Sequence, residues 1–230
     1  ICSFLLIAST LWAAIGLKNN QCMHGERLPI LQIFKSINKR ILIFCVLVFI
    51  QSFVAGPMWS FIIPMYCYNV LLFSPAKLGI LMSMDELIGA PTYMLAGRVV
   101  DKVNVVKFNI LFLLITALGG LFLIKSPTPT IFMVVFLICS VSISCTFVGI
   151  PKERIGFIRK EQKGFELALI SVCGSLGDSL GNNVLGRVAE KYTIDQCMYI
   201  FSASYVVMAL LVATPLLFPH FRFASGKQEQ

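Results

Sequence analysis

Apolar runs long enough to cross a lipid bilayer recur along the chain, and they constrain its fold more than any other feature. A membrane-spanning helix needs about 20 predominantly apolar residues, and seven segments approach or exceed that length. The connectors are short and contain proline-rich breakers such as residues 126–129. We therefore predict an all-α membrane protein with seven transmembrane helices, at residues 1–17, 41–68, 78–97, 105–124, 131–150, 165–186 and 194–218.

The composition agrees with a membrane protein and gives no sign of a metal site or a disulfide framework. The 230 residues are 57% hydrophobic and 13% charged, whereas soluble domains carry about 25% charged residues. The eight cysteines are scattered without a C-x-x-C pair, and the two histidines lie outside the predicted helices. We therefore expect no metal site and no cofactor.

The net charge of +8 is explained by membrane orientation rather than by a nucleic-acid partner. Lys and Arg concentrate in the cytoplasmic connectors of membrane proteins. If the seven helices alternate in direction, most of the 19 basic residues lie on one side, and the other side holds only Lys77, Lys125, Arg187 and Lys191. We therefore expect a cytoplasmic C-terminus, in a plasma membrane or a bacterial inner membrane.

Three acidic residues fall inside predicted helices: Asp85 and Glu86 in the third, and Asp178 in the sixth. A charged side chain at the bilayer centre costs about 2.5–3.5 kcal/mol, so such residues usually mark a functional site. Adjacent residues point about 100° apart on a helix, so we expect only one of Asp85 and Glu86 to face a given site. Glu86 shares its helix face with Tyr93.

The sixth predicted helix has a polar stripe beside a smooth face of small residues. The stripe follows the spacing i, i+4, i+7, i+11 and consists of Ser171, Ser175, Asp178 and Asn182. The small face includes Gly177 and Gly181, whose spacing permits close contact between helices. A helix with these two faces is suited to line a central cavity.

Two further helices carry polar residues at candidate positions. In the second helix Gln51 and Trp59 share a stripe and could contact a solute, although helix packing is the alternative, and the Gly56-Pro57 break could allow bending. In the fifth helix we expect the hydroxyls to bond back to the helix backbone rather than to a solute. These hydroxyls belong to Ser140, Ser142, Ser144 and Thr146.

A short pattern recurs after 89 residues. Gly97-Arg98-Val99 precedes Asp101-Lys102, and Gly186-Arg187-Val188 precedes Glu190-Lys191 with the same spacing. The offset spans three helices, which reverses the direction of the chain, so residues 41–124 and 131–218 would form two inverted three-helix repeats. Chance similarity is the alternative.

The corner that follows the third helix resembles the cytoplasmic motif of the major facilitator superfamily, G-x-x-x-D-[RK]-x-G-x-x-[RK]. Gly97, Asp101, Lys102 and Lys107 match this motif. Asn104 stands where the family has Gly, and asparagine tolerates the left-handed conformation better than most residues. By resemblance, Gly97, Arg98, Asp101, Lys102 and Lys107 form a latch that bridges the two halves of the transporter.

The resemblance also implies a domain organisation. Residues 1–17 would end the sixth transmembrane helix, and residues 18–40 would form a cytoplasmic linker. Within the linker, residues 29–40 form either an interfacial helix or a polar connector. Residues 41–218 would form the six-helix C-terminal bundle and residues 219–230 a cytoplasmic tail. The partner would be the N-terminal transmembrane half, within one lipid bilayer.

The function implied is that of a secondary active transporter, which moves a small solute by alternating access. Isolated carboxylates favour protons as the coupling ion, because burial favours the protonated form of a carboxyl group. The candidates for coupling or solute binding are Asp85, Glu86, Asp178 and Asn182. The candidates for lining the cavity are Gln51, Trp59, Tyr93, Ser171 and Ser175.

The same residues are also compatible with other functions. Each acid could be structural, neutralised by an interhelical hydrogen bond, and the protein could be an uncoupled facilitator or a solute sensor or scaffold without net flux. An intramembrane aspartyl protease is disfavoured, because Ser175 replaces the first glycine of the G-x-G-D signature and no Tyr-Asp pair occurs in a predicted helix. We expect no enzyme activity and no catalytic residue.

Overall fold

The computed structural model describes residues 39–126, 128–155, 158 and 163–217, and within these ranges the regular structure is entirely helical. The first helix, α1, continues through a π-helical turn at Met58–Ile62, the π-turn, into α2. The helices are α1 at Lys39–Pro57, α2 at Ile63–Asn69, α3 at Pro75–Val100, α4 at Val105–Ile124, α5 at Pro129–Ile155, α6 at Lys163–Lys191 and α7 at Ile194–Leu217.

Four stretches of the described helices are both long and apolar enough to cross a membrane. They are Ile41–Asn69, Val105–Ile124, Pro129–Ile155 and Ile194–Thr214. The helices α3 and α6 are long enough, with 26 and 29 residues, but they carry the predicted acids and are not among these four. The expected span at residues 1–17, most of the linker and the tail lie outside the described residues.

Local sequence signals explain where two of the helices begin. The Ser74 hydroxyl accepts a hydrogen bond from the backbone N–H of Lys77 (3.3 Å) at the start of α3, and proline occupies the first helical position. The Asn104 side chain accepts from the N–H of Lys107 (3.2 Å) and caps α4, with φ of −68°. The left-handed conformation that asparagine tolerates is therefore not adopted by Asn104, which acts as an N-cap instead.

The packing of the helices places α3 and α6 at the edges of the bundle. The helix α6 packs mainly along α1, and α3 packs mainly along α5. The helices α4 and α7 pack on each other, α4 also contacts α5, and α7 also contacts α1. The polar helices α3 and α6 therefore each have one face against the bundle and one exposed face.

The contact between α1 and α6 depends on two glycines. A Cβ atom on Gly177 would overlap the carbonyl oxygen of Phe49, and one on Gly181 would overlap that of Phe53. The Phe53 carbonyl is four residues before Pro57, which has no N–H to donate to it. The sequence-based expectation of close helix contact at Gly177 and Gly181 is confirmed.

Substituting Gly181 with alanine tests this contact. The new methyl group would meet the backbone of α1, and overpacking of this kind costs about 1–3 kcal/mol. At Gly79 a Cβ atom would meet nothing within 4 Å, and replacing a helical glycine with alanine gains about 0.5–1 kcal/mol. We expect thermal unfolding in detergent to show a lower midpoint for Gly181→Ala and an equal or higher one for Gly79→Ala. Equal midpoints for the two variants would contradict the predicted contact.

Candidate functional site

A cavity of about 240 Å³ lies between the α1–π-turn segment, α3 and α5. Each of these elements presents both polar and apolar side chains to it. The bordering residues are Ala55, Gly56, Trp59, Asp85, Glu86, Gly89, Tyr93, Ser140, Ile143, Ser144 and Phe147. Four predicted site residues, Trp59 of the π-turn and Asp85, Glu86 and Tyr93 of α3, therefore meet at one place.

The π-turn determines how Trp59 borders the cavity. It follows Pro57, which interrupts the hydrogen bonding of α1, and π-turns inside helices are frequent at functional sites. The indole ring packs against Phe136 of α5 (centroids 5.7 Å apart) and Phe201 of α7 (6.0 Å). These two rings fix the orientation of the indole, and its N–H is directed at α3.

The carboxyl group of Asp85 is the acceptor of that N–H. Trp59 Nε1 donates to Asp85 Oδ2 at 3.0 Å, across an interval of 26 residues. Asp85 is only 9% exposed, and its second oxygen, Oδ1, is buried without a hydrogen-bond partner among the described residues. A buried acceptor without a partner costs about 1–3 kcal/mol, so this oxygen is suited to accept a hydrogen bond from a further donor.

Glu86 borders the same cavity from a different direction. Its side chain is exposed, and it also borders a groove on the outer side of α3 with Met82, Ser83 and Leu87. The expectation that only one of the adjacent acids would face a given site is therefore wrong. The cavity is wide enough for both to contribute to its wall, although only Asp85 is held inside the bundle.

Two hydroxyls of α5 border the cavity although sequence reasoning gave them no role. Ser142 and Thr146 do bond back to the carbonyls of Ile138 (2.9 Å) and Ile143 (2.8 Å), as expected. Ser140 and Ser144 instead face the cavity. Their i, i+4 spacing, which puts both on one helix face, is the signal that could have identified them.

Gln51 lies inside the bundle rather than at the cavity wall. It is 5% exposed, and its Nε2 donates to Thr146 Oγ1 of α5 at 3.5 Å. It is absent from the residues that border the cavity. The hydrogen bond of Gln51 therefore joins α1 to α5.

The polar stripe of α6 lies beside the cavity and not in its wall. All four members of the stripe are exposed, and Asn182 Nδ2 donates to Asp178 Oδ1 at 3.4 Å. That oxygen also lies against Gly56, where a Cβ atom would overlap it. Because Gly56 borders the cavity, this glycine lies between the Asp178 side chain and the cavity. The remaining stripe members, Ser171 and Ser175, lie further along the exposed face.

The predicted latch residues lie at the connection between α3 and α4. Asp101 forms an ion pair with Lys152, which belongs to the last turn of α5. Gly97 is partly buried, and the three basic residues of the motif, Arg98, Lys102 and Lys107, are exposed. The ion pair therefore joins the ends of α3 and α5 within this bundle.

The described residues contain no group of three or more His, Cys, Asp or Glu side chains that could hold a metal ion. What they do contain is a bundle of apolar helices with an acidic, aromatic cavity between them. These features are typical of a helical membrane protein, and a cavity of this kind is a candidate small-molecule site.

Comparison with protein families agrees with this class. The family model of the Major Facilitator Superfamily matches residues 3–182, and the chain belongs to this family. The superfamily consists of membrane transporters that carry small solutes across a lipid bilayer, so the chain is a membrane transporter protein. A comparison with curated proteins finds no match.

The hydrogen bond between Trp59 and Asp85 can be measured with a double-mutant cycle. Trp59→Phe keeps a ring beside Phe136 and Phe201 but removes the donor to Asp85 Oδ2, so neither oxygen of this carboxyl group then has a partner among the described residues. We expect this variant to lose about 1–3 kcal/mol of unfolding free energy. Adding Asp85→Leu should recover part of this loss.

The coupling energy between the two substitutions should be about 0.6–1.7 kcal/mol, which are the average and the maximum found for interhelical hydrogen bonds in a membrane protein. Chemical unfolding in detergent measures it. Losses that are additive within error would show that the two groups do not interact.

Proposed function

We propose that the protein is a secondary active transporter that moves a small solute by alternating access and couples this movement to protons. The observation that carries the proposal is the cavity between the α1–π-turn segment, α3 and α5, which two acids border. In a transporter family, a site with ionisable groups between helices is where solute and coupling ion bind. The acids proposed to take part are Asp85, Glu86 and Asp178, with Asn182 as a partner of Asp178.

The helix packing supports two inverted three-helix repeats. The first repeat would contain the α1–α2 segment, α3 and α4, and the second would contain α5, α6 and α7. The first helix of each repeat packs against the second helix of the other, since α1 contacts α6 and α5 contacts α3. The third helices, α4 and α7, pack on each other. This reciprocal pattern is what a two-fold axis between the repeats would produce.

The same symmetry supports membrane crossings by α3 and α6. In an inverted repeat the middle helix must run back across the bilayer so that the first and third helices run parallel. Both helices are long enough, since a crossing needs about 20 residues and they have 26 and 29. We propose that their polar residues face a cavity and not lipid.

The exposed acids of α3 and α6 support a second transmembrane bundle as the partner of this one. Glu86, Asp178 and Asn182 are exposed within the described bundle. Lipid contact would be costly for these groups. A facing bundle, as in other members of the superfamily, would cover them and close the cavity.

The unpaired oxygen of Asp85 supports a role for this carboxyl group in proton binding, which a proton-coupled transporter requires and an uncoupled facilitator does not. A protonated carboxyl group can donate through this oxygen, whereas the ionised group leaves a buried charge with one hydrogen bond. Protonation would thus remove an unfavourable charge from the interior. If Asp85 were only structural, its hydrogen bond from Trp59 would be the interhelical bond that this alternative requires.

The proton-coupling proposal is tested with the full-length protein in liposomes that contain a pH-sensitive dye. Solutes from a chemical library are added outside, and both solute entry and internal pH are followed. We expect a transported solute to change internal pH, and at least one of Asp85→Asn, Glu86→Gln and Asp178→Asn to abolish the pH change while solute exchange continues.

Glu190→Gln is the matched control, because Glu190 is an exposed acid of α6 outside the cavity. Solute entry without any pH change in the wild type would identify a facilitator. Binding of a solute without entry would identify a sensor. Either result contradicts proton-coupled transport.

We also propose that the motif Gly97, Arg98, Asp101, Lys102 and Lys107 acts as a conformational latch. The ion pair between Asp101 and Lys152 supports this role, because it joins helix ends that must separate if α3 moves against α5. Exposed ion pairs contribute only about 0–1 kcal/mol to stability. Such a pair can therefore form and break during a transport cycle.

A charge exchange tests the latch. Asp101→Asn should lower the unfolding free energy by less than about 1 kcal/mol but slow solute flux severalfold. If the pair itself is the latch, the double variant Asp101→Lys with Lys152→Asp should recover flux. No recovery, with normal folding, would mean that Asp101 acts through a different partner.

A further inference from the structure

The wall of the cavity has a chemical character that selects among solutes. Its polar groups include two carboxylates, from Asp85 and Glu86, and its aromatic rings are those of Trp59, Tyr93 and Phe147. None of the described residues that border it carries a positive charge. An anionic solute would meet two like charges there, without a basic group to offset them.

The Asp85 carboxyl group can accept a hydrogen bond from an additional donor. The Trp59 indole holds Oδ2, and Oδ1 is left without a partner in a site that is nine-tenths buried. A neutral solute could donate one ordinary hydrogen bond, but a cation would also neutralise the buried charge. Hydrogen bonds between charged partners are about twice as strong as those between neutral ones.

The aromatic rings around the carboxylate are a second feature of the cavity that favours a cation. Cations bind the faces of Trp, Tyr and Phe rings, and Trp is the strongest of the three. The Trp59 ring is held in place by Phe136 and Phe201, so it needs no reorganisation when a ligand binds. Tyr93 is 45% exposed and can adjust to the ligand.

The volume of the cavity limits the size of the ligand. An apolar cavity of about 150 Å³ accommodates benzene, and drug-sized ligands occupy pockets of about 300–1,000 Å³. The 240 Å³ between α1, α3 and α5 lies between these values. It has room for one aromatic ring with a short side arm.

We propose that this cavity binds a small organic cation, an amine with one aromatic ring or an alkyl group of similar size. The ammonium group pairs with Asp85, and the apolar part packs against Trp59, Tyr93 and Phe147. This inference deepens the proposed transport function and rests on it, because it names the class of solute that the transporter carries.

Three probes of matched shape test the charge preference: phenethylamine, its neutral analogue 2-phenylethanol, and the anion 3-phenylpropionate. Binding to the full-length protein in detergent is measured by calorimetry. We expect the amine to bind about tenfold or more tightly than the alcohol, and no binding of the anion. Equal affinities for the amine and the alcohol would overturn the proposal.

Substitutions identify the groups responsible. Asp85→Asn keeps an acceptor for Trp59 Nε1 and should abolish the preference for the amine over the alcohol. Tyr93→Leu changes an exposed residue, so folding is not at risk, and it should weaken amine binding by about two- to fivefold. Glu190→Gln is the control for net charge and should bind as the wild type does. Amine binding that persists unchanged in both Asp85→Asn and Tyr93→Leu would place the cation elsewhere.

Liposome flux of labelled phenethylamine separates this inference from the transport proposal. Amine binding without flux of any solute would contradict the transport function but keep the ligand class. Flux of another solute, without amine binding, would contradict the ligand class and keep the transport function. If no amine binds, Asp85 is left with a role in proton binding only.

Discussion

The short segment from Gly56 to Trp59 in α1 is the constraint on which the rest of this bundle depends. Pro57 cannot bond to the carbonyl oxygen of Phe53, and the backbone of α6 lies against that oxygen at Gly181. The π-turn that follows directs the indole of Trp59 at α3, where it donates to Asp85. One interruption of a helix therefore lies both at a close contact between α1 and α6 and beside the hydrogen bond of the cavity.

This arrangement follows from the physics of helices in lipid. Lipid tails are as apolar as leucine side chains, so helices in a membrane associate through close packing and interhelical hydrogen bonds. Glycine allows the first of these at α1 and α6, and the pairs Trp59–Asp85 and Gln51–Thr146 provide the second. The polar groups near the cavity thus also hold the bundle together. A substitution at the site is consequently expected to change stability as well as binding.

The sequence was most informative where a run is uniformly apolar. The helix predicted at residues 105–124 has the same bounds in the structure, and α5 exceeds its predicted range by only a few residues at each end. The partner of Asp85 could not be predicted, because it depends on a π-turn that rotates Trp59 toward a helix 26 residues away. The roles of Ser140 and Ser144 were missed because local hydroxyl–backbone bonding, which Ser142 does make, was assumed for every hydroxyl of the helix.

The two adjacent acids of α3 show why position on a helix matters more than residue type. Asp85 is held by an indole whose ring is itself fixed by two aromatic neighbours, whereas Glu86 is exposed. The donor lies on the π-turn after α1 and the acceptor lies on α3, so any movement of α3 relative to α1 changes the distance between Trp59 Nε1 and Asp85 Oδ2. Under the proposed function, proton or solute binding at this carboxyl group would therefore be linked energetically to the relative position of the two helices. Such a link is the minimum that a transporter needs to connect binding with a change of access.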